Sequence, residues 1–124
     1  MTTTRGFAAA LGVCEQTAED GRATAALEAT EQHLNAAGTV HGGVLASLLD
    51  MTMGHAVRSR TGDSDVPATS QLTVTYLRPG NPGRMVVTAA VSKQGENLTV
   101  CQADVEQDGR TLAHALATFA VLHR

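Results

Sequence analysis

Between Val44 and Val57 the apolar residues Val44, Leu45, Ala46, Leu48, Leu49, Met51, Met53, Ala56 and Val57 recur three and four apart and cover nearly the whole circumference of a helix. A helix that is apolar all round is unsuited to a surface. The spacing therefore predicts a buried central helix, and the rest of the chain must fold around it. The polar exceptions Ser47, Asp50, Thr52 and His55 each need a reason, while Arg58 and Arg60 suit the carbonyl-rich C-terminal end.

The chain beyond the helix reads as sheet. After a polar loop from Thr61 to Val66 come four stretches with alternating or β-branched character: Ala68 to Leu77, Arg84 to Lys93, Leu98 to Gln107 and Thr111 to Leu122. Turns separate them at Arg78-Pro79-Gly80-Asn81-Pro82-Gly83, at Gln94-Gly95-Glu96-Asn97 and at the hairpin signal Asp108-Gly109. Ahead of the helix, a short helix is expected over Thr3 to Leu11. Strands over Val13 to Ala18 and Arg22 to Ala29 flank Glu19-Asp20-Gly21, and Asn35 to Gly38 form a loop. One long helix beside a run of antiparallel strands is an α+β pattern in which the sheet wraps the helix. The 124 residues suffice for one core, without repeat or linker, so residues 1–124 are read as a single domain.

Several function classes drop out. The net charge is −3 and the nine Lys and Arg are scattered singly, which leaves no basic stripe for a nucleic acid. No apolar run approaches the roughly 18 residues of a membrane span, and the N-terminus lacks a leader pattern; the chain is read as cytoplasmic. Cys14 and Cys101 lie far apart with no metal-ligand spacing and are expected to be free thiols acting as small apolar residues. No G-x-S-x-G elbow occurs. His41, Asp50 and His55 stand at spacings of nine and five, unlike an HExxH pair, and His33, His114 and His123 read as ordinary polar or core residues. Neither metal nor cofactor is expected.

The chemistry-bearing segment is His41-Gly42-Gly43 with Asp50. Glycines at a helix start let a ligand approach N–H groups that have no intrahelical partner, and an N–H at Gly42 could stabilise the oxyanion of a carbonyl under attack. Equally, two glycines can simply permit a tight turn into the helix. Asp50 has Ala46, Ser47, Met53 and Gly54 three and four residues away, so no helix cation pairs with it. It is either satisfied structurally by a neighbouring strand or held ready as a general base. Eight helical residues from Gly42 to Asp50 amount to about 12 Å. If both act on one carbonyl, they must come from two copies of the helix, which predicts a dimer with sites at its interface.

Asn35, His41-Gly42-Gly43, Asp50, Thr69 and the stretch LTVTYLRPG together resemble the hotdog-fold acyl-CoA thioesterases of the PaaI-like branch, from about residue 30 to the end. The resemblance implies hydrolysis of an acyl-CoA, aryl (phenylacetyl or hydroxyphenylacetyl, as in phenylacetate degradation) or medium chain. It implies that the Gly42 N–H and the Asn35 side chain polarise the carbonyl, that Asp50 of the partner subunit activates water or attacks directly, and that Thr69 is an auxiliary hydroxyl. His41 would orient the loop. Where a related branch pairs Glu with a Thr one turn later, this chain has Asp50 and Gly54. The resemblance further implies CoA contacts along the sheet edge, at Tyr76, Arg84, Lys93, Gln94, Gly95, Asn97 and Leu98, and a homodimer or a tetramer of two dimers. Coenzyme A is then part of the substrate. The rival reading is a non-catalytic acyl-CoA-binding or sensing protein of the same fold.

Overall fold

A computed structural model describes residues 5–62 and 65–122. The expected helix start at Thr3 and the reading of His123 lie outside them. In chain order the elements are α1 (Gly6–Leu11), β1 (Val13–Glu19), β2 (Arg22–Ala29), a 3-10 turn (Glu31–His33), α2 (Gly42–Arg58), β3 (Val66–Tyr76), β4 (Gly83–Gln94), β5 (Leu98–Gln107) and β6 (Arg110–Leu122). The six strands form one antiparallel sheet in the order β1-β2-β4-β5-β6-β3. Helix α2 touches every strand, so the sheet must curve around it. This is the α+β, sheet-around-helix arrangement of a hotdog fold.

The hairpin signals act as expected. Asp20-Gly21 and Asp108-Gly109 both take the left-handed conformation at two successive positions, which matches the twist of the strands they join. One boundary needs correction. β3 begins at Val66, inside the stretch read as loop, and passes through Pro67; β3 is an edge strand, where a missing N–H costs least. The 3-10 turn has no counterpart in the sequence reading: Thr30 and His33 form a reciprocal cap too short to leave a periodic signal.

The core is built without much aromatic mass. Leu45, Leu48, Leu49, Met53, Ala56 and Val57 of α2 pack against Leu27, Met85, Val87, Val105 and Phe119 of the sheet. Thr52 is buried among them because its hydroxyl donates to the Leu48 carbonyl at 2.7 Å. The helix is not buried all round, however. Val44, Ala46, Ser47, Asp50, Met51, Gly54 and His55 form a partly exposed second face. Beside it, Leu72, Val74 and Tyr76 of β3 lie opposite the buried Ala117, Ala115 and Ala113 of β6 yet are themselves only partly covered. No helix of the described residues is long and apolar enough to cross a membrane.

Candidate active site

The start of α2 is held by a set of hydrogen bonds that leaves one donor over. His41 is the N-cap, and its Nδ1 accepts the Gly43 N–H at 2.8 Å, which in the neutral ring leaves the proton on Nε2. The His41 carbonyl accepts from Val44 and Leu45, and the Tyr76 hydroxyl donates to the Gly42 carbonyl at 2.8 Å. The Gly42 N–H is the first of the helix and has no acceptor among the described residues. A neighbour favours glycine there. A Cβ on residue 42 would come within 3.3 Å of the Tyr76 ring. A shallow groove of about 320 Å³ opens beside this point, lined by Val40, Leu45, Leu77 and the Arg78-Pro79-Gly80 loop.

Asn35 sits on the same approach to the helix, but its side chain turns back on its own loop. Its Oδ1 accepts the N–H groups of Ala37 at 2.9 Å and Thr39 at 3.2 Å, and its amide donates to the Thr39 hydroxyl at 3.1 Å. Asn35 therefore fixes the loop that delivers His41, and has no bond to His41 or Gly42 among the described residues.

Asp50 stands two turns along α2, on the open face. Its partner is the Thr69 hydroxyl, which donates to Oδ1 at 2.7 Å. A strand supplies one hydrogen bond to the carboxylate, from a side-chain hydroxyl, and the group remains partly exposed. Thr69 and Tyr76 are seven residues apart on β3, at most about 23 Å along a strand that is bulged between Thr69 and Gln71. The chain thus carries two separate clusters, Gly42 with His41 and Tyr76 at one end of β3, and Asp50 with Thr69 toward the other.

The residues expected to meet CoA do not share one place. Thr69 lies opposite Phe119, Phe119 opposite Thr99, and Thr99 opposite Gln94, so the turn after Gln94 belongs to the Asp50 end. In that turn the Gly95 N–H donates to the Leu98 carbonyl, and the Val121 N–H to the Asn97 carbonyl. A Cβ on Gly95 would run into the Leu98 carbonyl oxygen, which explains the glycine. Lys93 and Leu98 are exposed beside it. This turn joins β4 and β5, which are interior strands, so it caps an end of the sheet and does not lie along its edge; the expectation of an edge site is corrected in that respect. Arg84 is elsewhere, at the opposite end of β4, with both guanidinium nitrogens on the Glu15 carboxylate at 2.7 and 2.8 Å. Glu15 precedes it by 69 residues, a separation that leaves no sequence signal of the pairing. Tyr76, also expected on the CoA path, stands at the Gly42 end, where its hydroxyl donates to the Gly42 carbonyl.

Two further groups have displaced acidities. His55, partly buried in the last turns of α2, is pushed below its usual range by desolvation and then by the Arg58 charge. Burial pushes the Cys101 thiol up to about 11, so it stays protonated, while Cys14 is exposed rather than part of the core. Among the described residues no group of three or more His, Cys, Asp or Glu could hold a metal ion.

Comparison with known proteins places this geometry among relatives. Residues 37–114 match the thioesterase superfamily. The chain is similar to human acyl-coenzyme A thioesterase 13, 33% identical over 108 residues that cover 85% of this chain and 76% of the relative. It is similar also to the acyl-coenzyme A thioesterase PaaI of Escherichia coli, 33% identical over 108 residues, 86% of this chain and 75% of that one. Among solved structures, a conserved protein from Pseudomonas aeruginosa superposes with a TM-score of 0.92 at 30% identity, over 96% of this chain and 95% of that one.

Proposed function

The chain belongs to the thioesterase superfamily, alongside its PaaI-like members, and from that footing we propose that it hydrolyses an acyl-CoA to the free acid and CoA in sites shared between two subunits. The observation that carries this reading is the separation within one protomer of Gly42, whose N–H has no acceptor among the described residues, from Asp50, which is poised on Thr69. The intervening helix is about 12 Å long, too far for one carbonyl. Two copies of α2 packed antiparallel on their open faces would bring Gly42 of one against Asp50 of the other. The partly exposed helix face and the uncovered edge strand β3 supply the contact surface for such a pair.

In this reading Asp50 takes a proton from water as the oxygen adds to the thioester carbonyl. The Thr69 hydroxyl occupies Oδ1 and orients the carboxylate, leaving Oδ2 toward the water. Charge developing on the carbonyl oxygen is met by the Gly42 N–H at the positive end of α2. The tetrahedral intermediate collapses, the C–S bond breaks, and CoA leaves as the thiolate, which takes the proton held by Asp50 and so restores the base. The acyl groups expected are aryl, such as phenylacetyl or hydroxyphenylacetyl, or medium straight chains, and the turn from Lys93 to Leu98 meets the CoA moiety beside Asp50. Release of free CoA from a panel of aromatic and straight-chain acyl-CoAs tests the reading. Turnover of at least one is expected, with Asp50→Asn lowering kcat by about 10²- to 10⁴-fold. No release by the wild type, or full turnover by the variant, would refute it.

A further inference from the structure

Tyr76 combines an exposed ring with a hydroxyl committed to the backbone of the helix start. It stands at the end of edge strand β3, is 52% exposed, and spends its hydroxyl on a single bond, to the Gly42 carbonyl at 2.8 Å. The peptide joining Gly42 to Gly43 is thereby held at both ends, its C=O by Tyr76 and its N–H by His41 Nδ1 at 2.8 Å. The preceding peptide is fixed through the His41 carbonyl, which accepts Val44 at 2.9 Å and Leu45 at 3.4 Å. With these restraints only the Gly42 N–H is left to turn toward a ligand. The strand end that carries Tyr76 is itself tied down, since the N–H groups of Leu77 and Arg78 both donate to the Leu112 carbonyl.

We propose that Tyr76 is a positioning residue for the oxyanion donor, a strut from β3 that fixes the orientation of the Gly42 N–H through the adjoining carbonyl. The proposal rests on the thioester-hydrolysing reading of the site. Two glycines at a helix start are conformationally loose, and a donor that must meet developing charge works best when its direction is set beforehand. The strut also gives Gly42 a second reason to be glycine. Its missing Cβ makes room for the Tyr76 ring, which any larger residue would crowd at 3.3 Å.

The test is steady-state kinetics of the full chain carrying Tyr76→Phe, which keeps the ring and removes only the hydroxyl. The expected result is a fall in kcat of about five- to twentyfold, a fraction of what loss of an oxyanion donor costs, with KM within about twofold. Gly42→Ala keeps the N–H but pushes on the ring, so its effect on kcat should combine with that of Tyr76→Phe less than multiplicatively. The Gly42 carbonyl ¹³C resonance should shift in Tyr76→Phe, which reads the bond without reference to turnover. An unchanged kcat in an active enzyme, a change in KM alone, fully multiplicative effects, or an unmoved carbonyl resonance would each overturn the proposal. If the wild type releases no CoA while the resonance still shifts in Tyr76→Phe, the hydrolytic reading and the positioning role fall together and the bond stands.

Discussion

Single side chains decide the chemistry, and some of them can be tested singly. The Thr69 hydroxyl donates to the Asp50 carboxylate, and a hydrogen bond to a charged group contributes about 1.5–3 kcal/mol. Thr69→Val should therefore lower kcat about tenfold or more while the protein stays folded; equal turnover would show that the contact is incidental. His55 gives a pH signature of stability. Its folded acidity lies below the usual 6.5, so the unfolded chain takes up a proton first as the pH drops. The associated stability is complete above about pH 6.5 and is lost below it. The melting temperature should fall between about pH 7 and 5, and His55→Gln should flatten that fall; an identical slope in the variant would assign the effect elsewhere. With its thiol held up to about 11, Cys101 should resist a thiol reagent at about pH 8 until the protein is unfolded, whereas Cys14 should react in the native state.

Among the elements, α2 carries both the fold and the site, and its sequence shows the former more plainly than the latter. The apolar spacing from Val44 to Val57 predicts a central helix, and the turn residues mark all four later strands to within two residues at most ends. The spacing does not show that one face of the helix stays open, because apolarity is the same whether the cover is the chain's own sheet or another subunit. Nor does it pair Tyr76 with Gly42 or Glu15 with Arg84. Those contacts depend on strand order, and the placement of β3 beyond β6 has no local signal. Asp50 and Gly42 are legible as candidates because a carboxylate and glycines are anomalies on an apolar helix. The helix also contains Gly54, where an added Cβ would meet Phe119 at an ordinary 3.7 Å. Gly54→Ala should raise stability by about 0.5–1 kcal/mol in chemical denaturation; destabilisation would mean that the open face needs the glycine for close approach of another helix.

At the scale of the whole molecule, the proposed division of the site between the start and the middle of one helix would tie activity to assembly. In the proposed arrangement, a protomer with Gly42 and Asp50 about 12 Å apart has two half-sites and no whole one. The most direct measurement is complementation between two disabled chains. Asp50→Ala removes the proposed base. Gly42→Pro removes the N–H at a first-turn position that tolerates proline, after a His41 whose φ of −58° and ψ of 134° suit a following proline. Each variant alone should be inactive, and their co-expressed mixture should recover about a quarter of wild-type CoA release, because half the dimers are mixed and each mixed dimer rebuilds one intact site. A mixture as inactive as its parents would contradict the shared site and place all the chemistry within one subunit.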